Sequence, residues 1–276
     1  MEKNRTLIYW IISVILTLIM VVYQRMTGPT QPVRGKVELA GETIKYKLIR
    51  TYGGLDDAEI VINDPTEKLT GNITYKRFKS FDSLTSVPLS HQGGKLIAHI
   101  PHQPPAGKVE YWVKLSDGTT EVNLTEEPVI MRFKGDVPAY ILIPHILLMF
   151  FAMLFSTRTG VEAIAKGKRT LRLSIITLVL LIGGGLILGP IVQKFAFGAY
   201  WTGWPFGHDL TDNKTAIAFI FWAIAIYQLV RNSQKRGWAI AAAVITALVY
   251  LIPHSVLGSE IDHTAKTPNH TVQTPE

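Results

Sequence analysis

The chain contains no cysteine. That excludes disulfides, acylation at a lipoprotein cysteine, covalent c-type haem and cysteine-held iron–sulfur clusters. It also lacks the G-x-x-x-x-G-K-[ST] phosphate loop and the H-E-x-x-H zinc signature, so neither motif offers a route to function. Serines and histidines are present, but no spacing ties a nucleophile to a base and an acid. No charged residue falls midway along any long apolar run. Small transporters depend on such intramembrane ionisable groups, so that reading is disfavoured.

The apolar runs themselves are plentiful: Leu7–Tyr23, Ala139–Phe155, Leu171–Val192, Thr215–Val230 and Trp238–Ile252. A helix needs about 20 residues, and at least about 17, to cross a bilayer core. The third run exceeds this, the first two sit at the limit, and the last two fall slightly short. Five transmembrane helices are expected, the last two with their flanks in the interface. Lys3 and Arg5 precede the first run. Arg158, Lys166, Lys168, Arg169 and Arg172 lie between the second and third, and Arg231, Lys235 and Arg236 between the fourth and fifth. Cationic short loops stay in the cytoplasm, so the N-terminus is expected inside, with residues 24–137 and the C-terminus outside. The first run reads as an uncleaved signal anchor, because no small-x-small cleavage site follows it. A bacterial inner membrane with a periplasmic exterior is the expected setting. The net charge of +7 then reflects topology, since the charges of residues 24–137 nearly cancel. Nucleic acid is not an expected partner.

Residues 34–134 alternate with period 2. Ile44, Tyr46 and Leu48 share one face of Thr43–Ile49; Leu96, Ala98 and Ile100 share one face of Lys95–Ile100. Val109, Tyr111, Val113 and Leu115 share one face of Lys108–Leu115. Further strands are expected at Gly35–Ala40, Ala58–Ile62, Gly71–Phe78, Thr119–Leu124 and Val129–Phe133. Asp117-Gly118 between two of them marks a hairpin. About eight short strands with regular turns predict an antiparallel β-sandwich. In architecture this stretch resembles immunoglobulin and fibronectin-III-type domains; it carries no family motif.

The stretch Gly189–Thr215 joins the third and fourth apolar runs. It holds Phe195, Phe197, Tyr200, Trp201, Trp204 and Phe206, followed by His208, Asp209 and Asp212. Aromatics collect at headgroup level in membranes and at protein–protein hot spots, so an interfacial anchor, a docking surface and the wall of a quinone site are all in play. The tetrapeptide Leu-Ile-Pro-His occurs at residues 142–145 and again at 251–254. His145, His208 and His254, with Asp209, Asp212 and Glu260, form a candidate site for haem b, for copper or zinc, or for calcium. Asp212 also suits the N-cap of the fourth helix. Gly183, Gly184 and Gly185 are expected to let the third helix pack closely on a neighbour.

The resulting plan is a cytoplasmic N-terminus at 1–6, an anchor at 7–23 and an external β domain at 24–137. A four-helix membrane domain follows at 138–253, with its external aromatic loop at 193–213, and the tail is 254–276. An accessory or assembly subunit without catalysis of its own is expected, binding lipid and other membrane-protein subunits. The alternative is a periplasm-facing redox or metal protein.

Overall fold

The computed structural model describes residues 2–253 and 258–264. The chain divides into two compact units. One, helical, comprises residues up to Pro29, then Val137–Phe195 and Ala199–Gly258. The other, β-rich, comprises Thr30–Asp136, Ala196–Gly198 and the segment from Ser259.

The β unit contains β1 (Val33–Leu39), β2 (Glu42–Leu48), β3 (Thr51–Tyr52), β4 (Ala58–Asn63), β5 (Thr70–Arg77) and β6 (Thr85–Pro88). It continues with β7 (Ser90–His91), β8 (Lys95–Ile100), β9 (Lys108–Ser116), β10 (Glu121–Asn123) and β11 (Val129–Phe133). β1 and β2 form a hairpin, β4, β8 and β7 a three-stranded sheet, and β3-β11-β9-β5-β6 the main sheet, with β10 also on β9. Every expected strand is present within a few residues. β3, β6 and β7 were not expected, because two to four residues are too few to show a period. One pair departs from the all-antiparallel expectation: β3 runs parallel to β11.

Alternation drives this assembly. In β9 every second residue is buried, and Val109, Tyr111, Val113 and Leu115 meet Leu48, Ile60, Ile73, Leu96, Met131 and Phe133 in one core. Each such fully buried aliphatic or aromatic side chain contributes about 1.5–3 kcal/mol. Tyr111 can sit inside because its hydroxyl donates to the carbonyl of Ile49 at 2.8 Å. The β9–β10 turn is four residues long. The Asp117 carboxylate accepts from Thr120 N at 2.8 Å, and from Thr119 N and Thr119 Oγ1 at 2.9 and 2.7 Å. Gly118 supplies the positive φ of 88°.

The helical unit contains α1 (Glu2–Thr27), α2 (Ala139–Ile164) and α3 (Thr170–Leu181). α3 runs through a π-helical stretch (Ile182–Leu188) into α4 (Gly189–Phe197), and α5 (Leu210–Arg231) and α6 (Gly237–Leu251) follow. Counting Thr170–Phe197 as one rod gives five helices among the described residues, four of them long and apolar enough to cross a membrane. α6 has 15 residues, about 22 Å of helix against a hydrocarbon core of about 30 Å.

Between the helices the residues are small: Ala152, Ala163, Ala218, Ala225, Ala239 and Ala242 line the interior around Trp222. Small side chains let helix backbones approach closely. Trp222 Nε1 donates to Thr246 Oγ1 at 2.9 Å, which joins α5 to α6. Outward-facing Ile8, Ile11, Leu147, Val179, Ile220 and Val244 are exposed. Apolar surface on this scale is compatible with a membrane-facing exterior.

Candidate functional site

The aromatic loop between α4 and α5 is built around one carboxylate. Asp209, not Asp212, is the N-cap of α5: its Oδ1 accepts from Thr211 N at 2.7 Å. That leaves Asp212, in the first helical turn, free to turn toward the loop. Its Oδ2 accepts from Thr202 N at 2.6 Å, Gly203 N at 2.9 Å and Gln193 Nε2 at 3.1 Å. Asp212 is only 6% exposed, and three donors on one oxygen offset part of the loss of water. Gln193, from α4, also donates to Thr202 Oγ1 at 2.7 Å. Next along α5, Asn213 Oδ1 accepts from Trp204 N at 2.7 Å.

The loop then closes on itself. Asp209 N donates to Thr202 O at 3.0 Å, and Phe206 N and Gly207 N both donate to Gly203 O. The Trp204–Pro205 peptide is cis. Two glycines are required by proximity. A Cβ on Gly203 would stand 2.6 Å from Asp212 Cβ, and one on Gly207 would stand 2.4 Å from Thr202 O.

With its polar groups turned inward, the loop presents its rings outward. Phe206 is 82% exposed, Trp204 77% and Tyr200 59%. Trp201 is half-buried, its Nε1 donating to Trp204 O at 3.1 Å. The Tyr200 ring lies 5.5 Å from Lys194 Nζ. Phe195 is 40% exposed. Phe197 belongs to the β unit, where Arg132 stands 4.9 Å from its ring.

Lys214, one turn into α5, is buried and donates to the carbonyls of Ile252 and Pro253 at 2.8 and 3.4 Å. A cation there satisfies carbonyls at the end of α6 and complements its dipole.

Each described member of the expected metal set has its own surroundings. His145 Nδ1 donates to Gly184 O at 2.9 Å, a carbonyl that also accepts from Gly189 N across the π-helical turn. His208 is exposed at the loop's end. Glu260 lies in the β unit, held by Lys79 and Lys108. His254 falls outside the described residues. Among the described residues, no group of three or more histidines and carboxylates stands where it can hold a metal ion. Gly184 lies against Leu148 and Met149 of α2, and Gly185 against Thr215 of α5, in positions where any side chain would collide.

A second carboxylate site escaped the hydropathy reading. α2 does not stop at Phe155 but continues to Ile164, which places Arg158 and Glu162 on the helix rather than in a loop. Arg158 is 1% exposed, and one guanidinium nitrogen lies 2.7 Å from Glu162 Oε2. Its guanidinium carbon lies 5.3 and 5.5 Å from the rings of Tyr9 and Trp10. Glu162 Oε1 accepts from Arg169 N at 3.2 Å. The helix ends in a Schellman motif: Gly167 N donates to Glu162 O and Lys166 N to Ala163 O. Here Lys166 takes the left-handed position, with φ 55°. Gly167 is needed for space, because a Cβ there would lie 2.0 Å from Glu162 Oε1. The sequence signal was the proline-free stretch Ser156–Ile164, with Arg158 and Glu162 four residues apart.

Compared with known protein families, curated proteins and solved structures, the chain has no significant match.

Proposed function

We propose that this protein is an accessory or assembly subunit of a membrane complex, docking on its partner through the aromatic loop. One observation carries the reading. Asp212 and Asn213 hold the backbone of the loop and Asp209 accepts from the Thr202 hydroxyl, while Trp204 and Phe206 stand largely exposed. Binding surfaces pay for ordering mobile side chains and loops, and a preformed aromatic tip avoids much of that cost. The distribution of lysine and arginine supports an N-terminus in the cytoplasm, with the loop and the β unit on the periplasmic side of a bacterial inner membrane. The β unit is read as a β-sandwich whose sheets share one core, offering a second surface.

The test is native gel electrophoresis of mild-detergent extracts from the source membrane, with and without W204A/F206A. The reading expects wild-type chain to run within a discrete larger complex. The double variant should run alone while keeping its helical circular-dichroism signal. Wild-type protein running alone would contradict the reading.

A further inference from the structure

Three cations stand together on one face of the β unit. Lys108 opens β9, Arg132 is its cross-strand partner on β11, and Lys79 follows β5. Like charges on neighbouring strands destabilise a sheet, so this cluster calls for an anion. It has one. The two oxygens of Glu260 are taken separately, Oε1 by Lys79 Nζ and Oε2 by Lys108 Nζ. Arg132 donates to Ser259 O at 2.7 Å, and His263 N donates to Lys79 O at 2.9 Å. The Phe78 ring lies beneath both lysines, 5.8 Å from Lys79 Nζ and 5.4 Å from Lys108 Nζ. At the far end of the segment, the Asp262 carboxylate accepts from Thr264 N at 2.9 Å and closes a turn.

This is peptide recognition in miniature: a carboxylate divided between two cations, with backbone hydrogen bonds on either side of it. Burial tends to raise the Glu260 carboxyl, but the hydrogen bonds from Lys108 and Lys79 outweigh it and hold the group below the usual glutamate range. Burial lowers Lys108 despite its carboxylate partner, as expected for an amine committed to one contact.

We propose that the Lys79–Lys108–Arg132 face is a docking site for an acidic peptide segment, occupied in cis by the chain's own Ser259–His263. The site lies in the β unit, where Arg132 also meets the Phe197 ring, and its contacts to Ser259–His263 do not depend on how Trp204 and Phe206 are used. A tethered occupant competes at an effective concentration on the order of millimolar. Against a free peptide of about 0.1 mM affinity, that masks the site by about tenfold.

The experiment uses full-length protein in mild detergent and a fluorescent, end-blocked peptide with the sequence of residues 258–264. Hydrogen exchange is followed at His263 and at Ile73 and Val113. Glu260→Gln should release the His263 amide, leave Ile73 and Val113 protected, and bind the peptide about tenfold more tightly than wild type. Adding Lys79→Glu and Lys108→Glu should abolish that binding; if the double reversal unfolds the sheets, Lys79→Gln alone should weaken it clearly. Retained protection of His263 in Glu260→Gln would overturn the proposal. So would peptide binding that is absent from Glu260→Gln, equal to wild type, or indifferent to Lys79→Gln.

Discussion

The two chain reversals at α2–α3 and α4–α5 solve one problem by different means. Each relies on a buried carboxylate near a helix end that accepts from backbone amides of the turn: Glu162 from Arg169 N ahead of it, Asp212 from Thr202 N and Gly203 N behind it. Glu162 carries a counter-ion, Arg158, and the turn it holds is short and presents cations. Asp212 is held by neutral donors, and the loop it fixes is long and presents aromatic rings. Folding needs the first arrangement to hold helices together. The second fixes the shape of a surface whose Trp204 and Phe206 rings are largely exposed, the feature on which the proposed docking role rests.

Variants can break this contrast, and the largest effect is expected at the charged pair. Arg158→Met leaves Glu162 buried without its partner and should cost about 4 kcal/mol, read from denaturant unfolding of the helical signal. Arg158→Met/Glu162→Met should recover most of that loss, because a packed apolar pair avoids the desolvation of both charges. Asp212→Asn keeps the shape but removes the charge, and should cost about 2 kcal/mol. Its signature is local: hydrogen exchange at Thr202 and Gly203 should quicken while that of α2 stays unchanged. Gly203→Ala, pressed against Asp212 Cβ, should cost about 1–3 kcal/mol and loosen the same amides. Lys166→Gly should act in the opposite direction, stabilising the α2–α3 turn by about 1 kcal/mol by removing a side chain from a left-handed position.

The β unit was legible because its signal is local. In β9, alternation over nine residues names the face, and the face names the core. β3 and β7, two residues each, leave no such trace and exist only through their partners. For the helices, hydropathy located the apolar runs but misjudged several ends. It closed α2 at Phe155, because Arg158 and Glu162 look like loop residues until their pairing across one turn is considered. It began the fourth span at Thr215, whereas α5 starts at Leu210 behind its Asp209 cap. At the candidate site the aromatic and acidic residues were visible as a group. Their division of labour was not. That Asp212 points at Thr202 while Asp209 caps depends on the path of the loop between them, and no spacing rule encodes it. For His145 the partner was hidden for the same reason: it donates to the carbonyl of Gly184, which only the three-dimensional path of the chain brings within reach.

The proposed docking role requires the aromatic tip to meet protein. The most direct measurement is photo-crosslinking in the native membrane from Phe206→benzoylphenylalanine. The account predicts one discrete protein adduct, diminished when Asp212→Asn is added. Adducts to lipid alone, unchanged by Asp212→Asn, would make the loop an interfacial anchor and contradict the docking account.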